Sequence, residues 1–507
     1  MTVRVTLIAA LLLLCAPMFA KPPAKVKLEW RTTEYESGKI HEKYTVQVSE
    51  GGGEKRWGEY TAWYETGKKS AEGEYEDGKR QGRWEWFHEN GEKQESGFYE
   101  AGVEWNEWTK WHPNGKKASE GKYANGKLHE KWGWWWENGK KKEEQYYDLG
   151  TREGRNVTWH ENGQRASQGS WKEGKRDGPW EWWHDNAGKR TSGKYEMGIK
   201  TGKWEGWYEN GQQSEYHDYK GPERTGTWRT WYENGNLKAE GEAFENKRHD
   251  AWVFFFEMGS KSSAGKFDHG QRVGDWTYWH ENTAKKASGT YTEGVQTGTW
   301  TYWHDNAKKY TQGQMVDGYR VGQWDAWHEN GKKALEAFYT DDELNGPWVR
   351  YHDNGEKAAE GKYVDGLQEG TWTFWYENKV KQSEGTYSEG LRNGEWSTWY
   401  RNGSLESHGI YTDYAIDGLW EYWYDDGSRR LTQSWKDGIR EGLWTWYYKG
   451  GNIRAQGNFK ENWLDGWYRE YNKQNQPTFE KYYKEGYESD PPEEPEEEPG
   501  EDTPEEG

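Results

Sequence analysis

The chain has 507 residues, a formal net charge of -19, one cysteine, and 32% hydrophobic against 31% charged residues. An acidic balance excludes simple electrostatic attachment to nucleic acid or anionic lipid, and a lone cysteine excludes an intrachain disulfide framework or a Cys-based metal centre. So few aliphatic residues would ordinarily mean disorder, but 40 Trp, 36 Tyr and 65 Gly recur with a period, and each buried ring contributes roughly 1.5 to 3 kcal/mol or more.

In chain order, residues 1–20 read as a signal peptide: Arg4, an apolar run through Leu14, then Ala16-Pro17-Met18-Phe19-Ala20, with cleavage expected after Ala20. That run is too short to span a bilayer, so no transmembrane span is expected. Lipoprotein anchoring through Cys15 is disfavoured because Leu14 stands where a small residue is expected. The expected location is therefore exported: periplasmic, secreted or cell-surface. Residues 21–56 hold a degenerate repeat (Trp30 to Gly38) and a strand-like alternation at Tyr44, Val46 and Val48, and are read as an N-terminal cap.

Residues 57–488 form the repeat array. From Trp63, steps of 24 residues meet Phe87, Trp111, Trp135, Trp159 and onward to Tyr471, an aromatic at every step without insertion or deletion. A second column from Trp84 keeps Trp through Trp444 except at Asn156. A fixed period of this size means a stack of one supersecondary unit.

Each unit has two β-prone runs, such as Trp84 to His88 and Lys93 to Tyr99, joined at Asn90-Gly91. Asn-Gly between such runs predicts a β-hairpin on a two-residue type I′ turn. That turn sets Trp84 opposite Gly97 and Gly82 opposite Tyr99. If the second connection also turns on two residues at Gly78, Trp84 meets Gly73 on its other side; a bulged three-residue turn there shifts this register by one. Rings are expected over glycines on both flanking strands. Trp84, Trp86, His88, Gly97 and Tyr99 then share one face and Phe87 takes the other. Lysines after the turn (Lys69, Lys93, Lys117, Lys333, Lys357) read as solvated cross-strand charges. Residues 489–507, Pro and Glu without an aromatic, read as a disordered acidic tail.

The pattern G-x-W-x-x-W-[HY]-x-N-G-x-K…G-x-Y-x-x-G, at Gly82 to Gly102 and at Gly346 to Gly366 with Phe87 and Tyr351 at the second Trp, resembles MORN-variant repeats, as in bacterial antitoxin-like MORN-repeat proteins. The resemblance runs from Trp57 to Tyr487. It implies hairpins side by side in one sheet that contacts protein or lipid and catalyses nothing; a signal peptide is foreign to the antitoxin-like proteins. A fainter likeness is to aromatic-glycine cell-wall-binding repeats.

The best catalytic or metal candidate is the histidine column His88, His112, His160, His184, His280, His304, His328 and His352. Its members lie two strands apart, ~9.5 Å, too far to share an ion held at ~2 Å, and Tyr208, Tyr232 and Tyr376 substitute freely. A packing role is expected, with no catalytic residue, metal or cofactor. The expectation is thus an all-β, elongated single antiparallel sheet of about 18 stacked 24-residue hairpins. In function it is an exported, non-enzymatic repeat scaffold contacting an unknown protein or envelope component, and not nucleic acid. The alternative is a carbohydrate or cell-wall-binding protein in which polysaccharide stacks on Trp86, Trp134, Trp136, Trp182, Phe254, Phe256, Tyr278 and Tyr302. Exposure of those rings discriminates between core and binding strip.

Overall fold

The computed structural model describes residues 27–49 and 51–492; the expected signal peptide and residues 493–507 of the expected tail lie outside them. Among the described residues there is no helix, and the strands form one open antiparallel sheet of successive hairpins. Consequently no helix is long and apolar enough to cross a membrane. Packing distinguishes two units, Met1–Asn236 with Ala243–Asn246, and Leu237–Glu242 with Lys247–Gly507.

In the first unit, strands Lys79–Phe87 and Lys93–Glu100 show how one repeat folds. The expected pairs Trp84 with Gly97 and Gly82 with Tyr99 are formed, but by a different turn. His88 N–H donates to Glu92 O and Gly91 N–H to His88 O, both at 2.8 Å. Gly91 is left-handed (φ 94°) while Asn90 is not. The connection is therefore a three-residue loop, Glu89-Asn90-Gly91, with glycine at its αL position. Pairing then passes from Phe87 with Lys93 to Trp86 with Glu95. Gln94 is thus an extra, bulged residue that brings the register back to the expected one.

The type I′ turn lies at the other connection. Asp77 (φ 51°) and Gly78 (φ 76°) are both left-handed, and Glu76 pairs with Lys79. Further along, pairing jumps from Glu74 with Gln81 to Glu72 with Glu85, so Gly82, Arg83 and Trp84 all face the single Gly73. This special bulge, three residues against one, lets the indole of Trp84 lean over Gly73, where a Cβ would fall under 3.0 Å from the ring. Gly97, on the following strand, is covered by Trp108 instead. The expectation of one ring over glycines on both sides is corrected accordingly: each Trp covers the glycine before it.

The same pattern fills the second unit, where Trp276 covers Gly265, Trp300 covers Gly289 and Trp324 covers Gly313. Trp84, Trp252, Trp276 and Trp300 are each 1% exposed, which only works because each indole N–H finds an acceptor. Trp84 donates to Glu74 O (3.0 Å), Trp276 to Lys266 O (3.0 Å) and Trp300 to Thr290 O (3.2 Å), always the carbonyl one residue beyond the covered glycine. Burying these rings thus costs no unpaired donor, whereas the buried Trp204 has no acceptor for its Nε1 among the described residues.

The exception at Asn156 is a matched exchange. Gln145 stands in the glycine column and is wholly buried, filling the space an indole takes elsewhere. Its Nε2 donates to Glu153 O at 3.1 Å, and Asn156 Nδ2 donates to Glu143 Oε1 at 2.9 Å.

Residues 27–48 also form a hairpin, Lys27–Glu34 with Ile40–Val48, whose turn has the three-residue geometry: Tyr35 N–H to Lys39 O at 2.8 Å and Gly38 N–H to Tyr35 O at 2.9 Å.

Candidate interaction face

The face shared by Trp84, Trp86 and Tyr99 is built by the period-2 alternation of the strands, and the sequence expectation for it is met: Trp84 and Trp86 stack with ring centres 5.5 Å apart, and Tyr99 meets both edge-on. In the first unit Trp86 continues to Trp108 (5.9 Å), and Trp182 bridges Trp180 (5.5 Å) and Trp204 (5.8 Å). In the second, Phe254 follows Trp252 (5.7 Å), Tyr278 follows Trp276 (5.9 Å) and Tyr302 follows Trp300 (5.9 Å). Phe254, Tyr278 and Tyr302 in turn reach Trp276, Trp300 and Trp324 at 6.3, 6.4 and 6.5 Å. The result is an alternating row of deep tryptophans and shallower rings. Every one of the rings expected to bind is half-buried, so they are neither sealed in a core nor a bare strip.

Trp136 stands apart from that row. It lies at the turn, beneath Lys142 (4.5 Å), and its Nε1 donates to Trp159 O at 3.2 Å. The histidines of the same column make the equivalent bond: His88 to Trp111 O (3.0 Å), His184 to Trp207 O (2.9 Å), His352 to Trp375 O (2.9 Å). A carbonyl only accepts, so Nε2 carries the proton. Tyr208 and Tyr376 donate likewise to Trp231 O (2.7 Å) and Trp399 O (3.0 Å), which explains why Tyr, His and Trp interchange there.

Asn90 adds a second rung. Its Oδ1 accepts from Glu92 N–H (2.9 Å) while its Nδ2 donates to Pro113 O of the next turn (2.6 Å). Asn354 does the same with Glu356 N–H (2.9 Å) and Glu377 O (2.8 Å).

Sequence reasoning missed a row of arginines over the ring face. Arg80 lies 4.7 Å from the Trp84 ring, 5.4 Å from Trp86 and 5.3 Å from Tyr99; Arg176, Arg272 and Arg392 sit 4.8, 5.0 and 4.3 Å over Trp180, Trp276 and Trp396. These are cation–π contacts worth ~0.5 to 2 kcal/mol each. The signal was present in the 24-residue step, two residues past the turn glycine. On the opposite face the lysines expected to be solvated are partly exposed, Lys93 pairing across the strands with Glu85 at 2.9 Å, and some also lie near rings: Lys117 by Trp135 at 5.1 Å and Lys357 by Trp375 at 6.0 Å. Lys117 also pairs with Glu120, and Lys381 with Glu384 at 2.7 Å.

In the second unit Phe256, Arg272, Tyr278, Tyr291, Gln296 and Tyr302 border an open cavity of about 510 Å³. The Tyr278 and Tyr291 hydroxyls meet at 3.0 Å. Burial first, then that hydrogen bond, pushes Tyr278 well above the ordinary phenol range, and burial raises Tyr302 as well. These phenols are neutral donors and acceptors at physiological pH.

No metal site was expected, but the structure brings His249, Asp268 and His269 together with all ligand atoms within 4.8 Å of one another. Asp268 Oδ1 bridges the two imidazoles, 3.3 Å from His249 Nδ1 and 2.6 Å from His269 Nδ1. His269 Nδ1 is hydrogen-bonded to Asp268 Oδ1, whereas His249 Nδ1 lies at ion-pair distance from the same oxygen without a hydrogen bond to it.

No curated protein matches the chain. Solved structures that align with it include the TcdB2-TccC3-Cdc42 complex (8% identity, 90% of this chain and 28% of that one, TM-score 0.13). The TcdB2-TccC3 complex aligns at 9% identity over 91% of this chain and 31% of that one, with TM-score 0.13. The Tc holotoxin pore of Photorhabdus luminescens gives 10% identity, 89% and 27% coverage, and TM-score 0.13. The chain thus spans less than a third of each, and at that TM-score the likeness carries no argument. The model of the MORN repeat variant matches at residues 80–101, 106–125, 224–244, 368–389, 392–413 and 440–461, matches that support a MORN-repeat protein.

Proposed function

We propose that the protein is an exported, non-enzymatic scaffold, working without a cofactor, whose repeats hold another protein or an envelope component through many weak, equivalent contacts. The observation that supports this is the constancy of the repeat: bonds at fixed residue offsets set out the same groups at each step, which suits a partner bound by avidity. The histidines support it too, since each cited imidazole is engaged by the next hairpin's carbonyl. Export rests on the leader-like sequence of residues 1–20. The finer likeness to antitoxin-like proteins is kept only as kinship of the repeat.

The cavity beside Tyr278 and Tyr302 favours a second reading, polysaccharide binding, at that place: sugar rings stack on aromatic floors, and Arg272 and Gln296 offer donors at its wall.

The test is a pull-down from cell-envelope extract with the chain from residue 21 onward, run beside a glycan array. A specific protein with a silent array supports the scaffold. A specific glycan whose retention disappears in Tyr278→Ala with Tyr302→Ala replaces it with the second reading.

A further inference from the structure

One edge of the second unit has a composition that its turns do not require. From Glu293 to Glu485, the first left-handed residue of every type I′ turn is acidic and exposed, for example Glu293, Asp317, Asp365 and Glu389. Two residues on, the side chains are mostly large, apolar and solvent-facing: Val295 (41% exposed), Tyr319 (53%), Leu367 (49%), Leu391 (51%), Ile439 (41%) and Trp463 (62%). The first unit uses the same turn geometry mostly with polar residues at that position, Lys79, Lys127, Thr151 and Lys175 beside Val103 and Ile199, so the turn itself does not select an apolar residue.

The apolar side chains also touch the neighbouring turns. Val295 Cγ1 lies 3.3 Å from where a Cβ of Gly318 would stand, and Leu367 Cδ2 3.4 Å from that of Gly390. They therefore form a ridge along the turns, interrupted at Glu343 and Ala415, and an exposed apolar ridge calls for a partner. Among the described residues the first-position carboxylates make no ion pair; Asp365 accepts a hydrogen bond from Asn345 at 3.0 Å. Arg320, next to Tyr319, is already paired with Asp342 at 2.7 Å.

The step along the ridge is two strands, ~9.6 Å. A polyproline II helix repeats every three residues with ~3.1 Å rise, or ~9.3 Å, whereas an α-helix brings one face round every ~5.4 Å and falls out of step. We propose that this ridge docks an extended, polyproline II-type segment of a partner protein that carries Lys or Arg at every third residue with apolar residues between. The cations meet the turn carboxylates and the apolar residues meet the ridge. This rests on the scaffold reading and names the chemistry of its partner.

The experiment titrates the full chain, by calorimetry, with a synthetic peptide of six Lys-Pro-Val triplets. Comparison peptides are six Glu-Pro-Val triplets, six Lys-Pro-Ser triplets, and an alanine-rich helical peptide of equal positive charge. Expected is binding of the first alone, weakened about tenfold or more by added salt and by Leu367→Lys with Leu391→Lys, and unchanged by Lys127→Ala in the first unit. The variants sit on exposed turns, and an unchanged circular dichroism spectrum confirms their fold. Absence of binding, equal binding of the helical or serine peptide, or indifference to the double substitution overturns the ridge as a docking site while leaving the scaffold reading to its own pull-down. A glycan captured in place of protein overturns that reading whatever the peptides do.

Discussion

The indole of Trp300 covers Gly289 on the strand before it and leaves Gly313, its paired residue on the strand after it, to Trp324. Each tryptophan therefore fastens its own hairpin to the preceding one. Trp300→Ala should cost ~3 to 5 kcal/mol, and Gly289→Ala, which drives a methyl into the ring, ~1 to 3 kcal/mol or more. Hydrogen exchange should show both losses confined to nearby hairpins. Uniform loss of protection across the unit would count against nearest-neighbour stability.

At Gln145 and Asn156 both members of the glycine and tryptophan pairing are replaced together, so they should be energetically coupled. Asn156→Trp alone pushes an indole into the place of Gln145, and Gln145→Gly alone opens a void beside Asn156. The double substitution restores the pattern of neighbouring repeats and should cost less than the two singles added, by ~0.5 to 3 kcal/mol. Additive urea midpoints would show that the exchange is incidental.

His352 ties its hairpin to the next through Trp375 O. His352→Phe keeps the ring but removes the donor, and should cost ~0.5 to 1.5 kcal/mol. His352→Tyr should be nearly neutral, because Tyr376 and Tyr400 make the equivalent bond at 3.0 and 2.8 Å. Equal losses in both variants, read from thermal unfolding, would rule out the bond as the reason for the His and Tyr exchange.

Burial raises the phenols of Tyr60, Tyr123, Tyr278, Tyr302 and Tyr422 above their ordinary value of 10.0. A raised folded-state value contributes stability that is fully present below the unfolded value and is lost as pH rises through the folded one. Stability should therefore hold from neutral pH to about 10 and decline above it. Absorbance at the tyrosinate band should lag behind that of the urea-unfolded chain; coincident titration curves would contradict the burial described for these rings.

The fold was legible because one column of rings and one of Trp carry the period, and because a hairpin's register needs only the net residue count between paired positions. Trp84 met Gly97 although the turn was mistaken: a three-residue loop plus the bulge at Gln94 adds up to the same displacement as the expected two-residue turn. Asn90 misled because its side chain is chosen for bonds to Glu92 N–H and Pro113 O and not for left-handed backbone. Which glycine Trp84 covers depends on the three-residue bulge opposite Gly73, which period-2 alternation does not encode. The ring-bearing face was foreseen, but Arg80 and its equivalents were not, since a charged residue beside a turn reads as solvated until the rings beneath it are placed.

The hooks between hairpins run at constant separations along the chain: 23 residues from His88 or Asn90 to the carbonyl it grips, and 22 back from the amide of Gly102 to Arg80 O. Such an array counts. Excising 24 consecutive residues, for instance 357–380, rejoins every hook to an equivalent acceptor, while excising one fewer strands a whole row of them and turns each ring in the joined strand to the opposite face. Lengthening or shortening of this protein by unequal recombination is thereby restricted to whole repeats, and proteins built from this repeat should differ in size by multiples of that number.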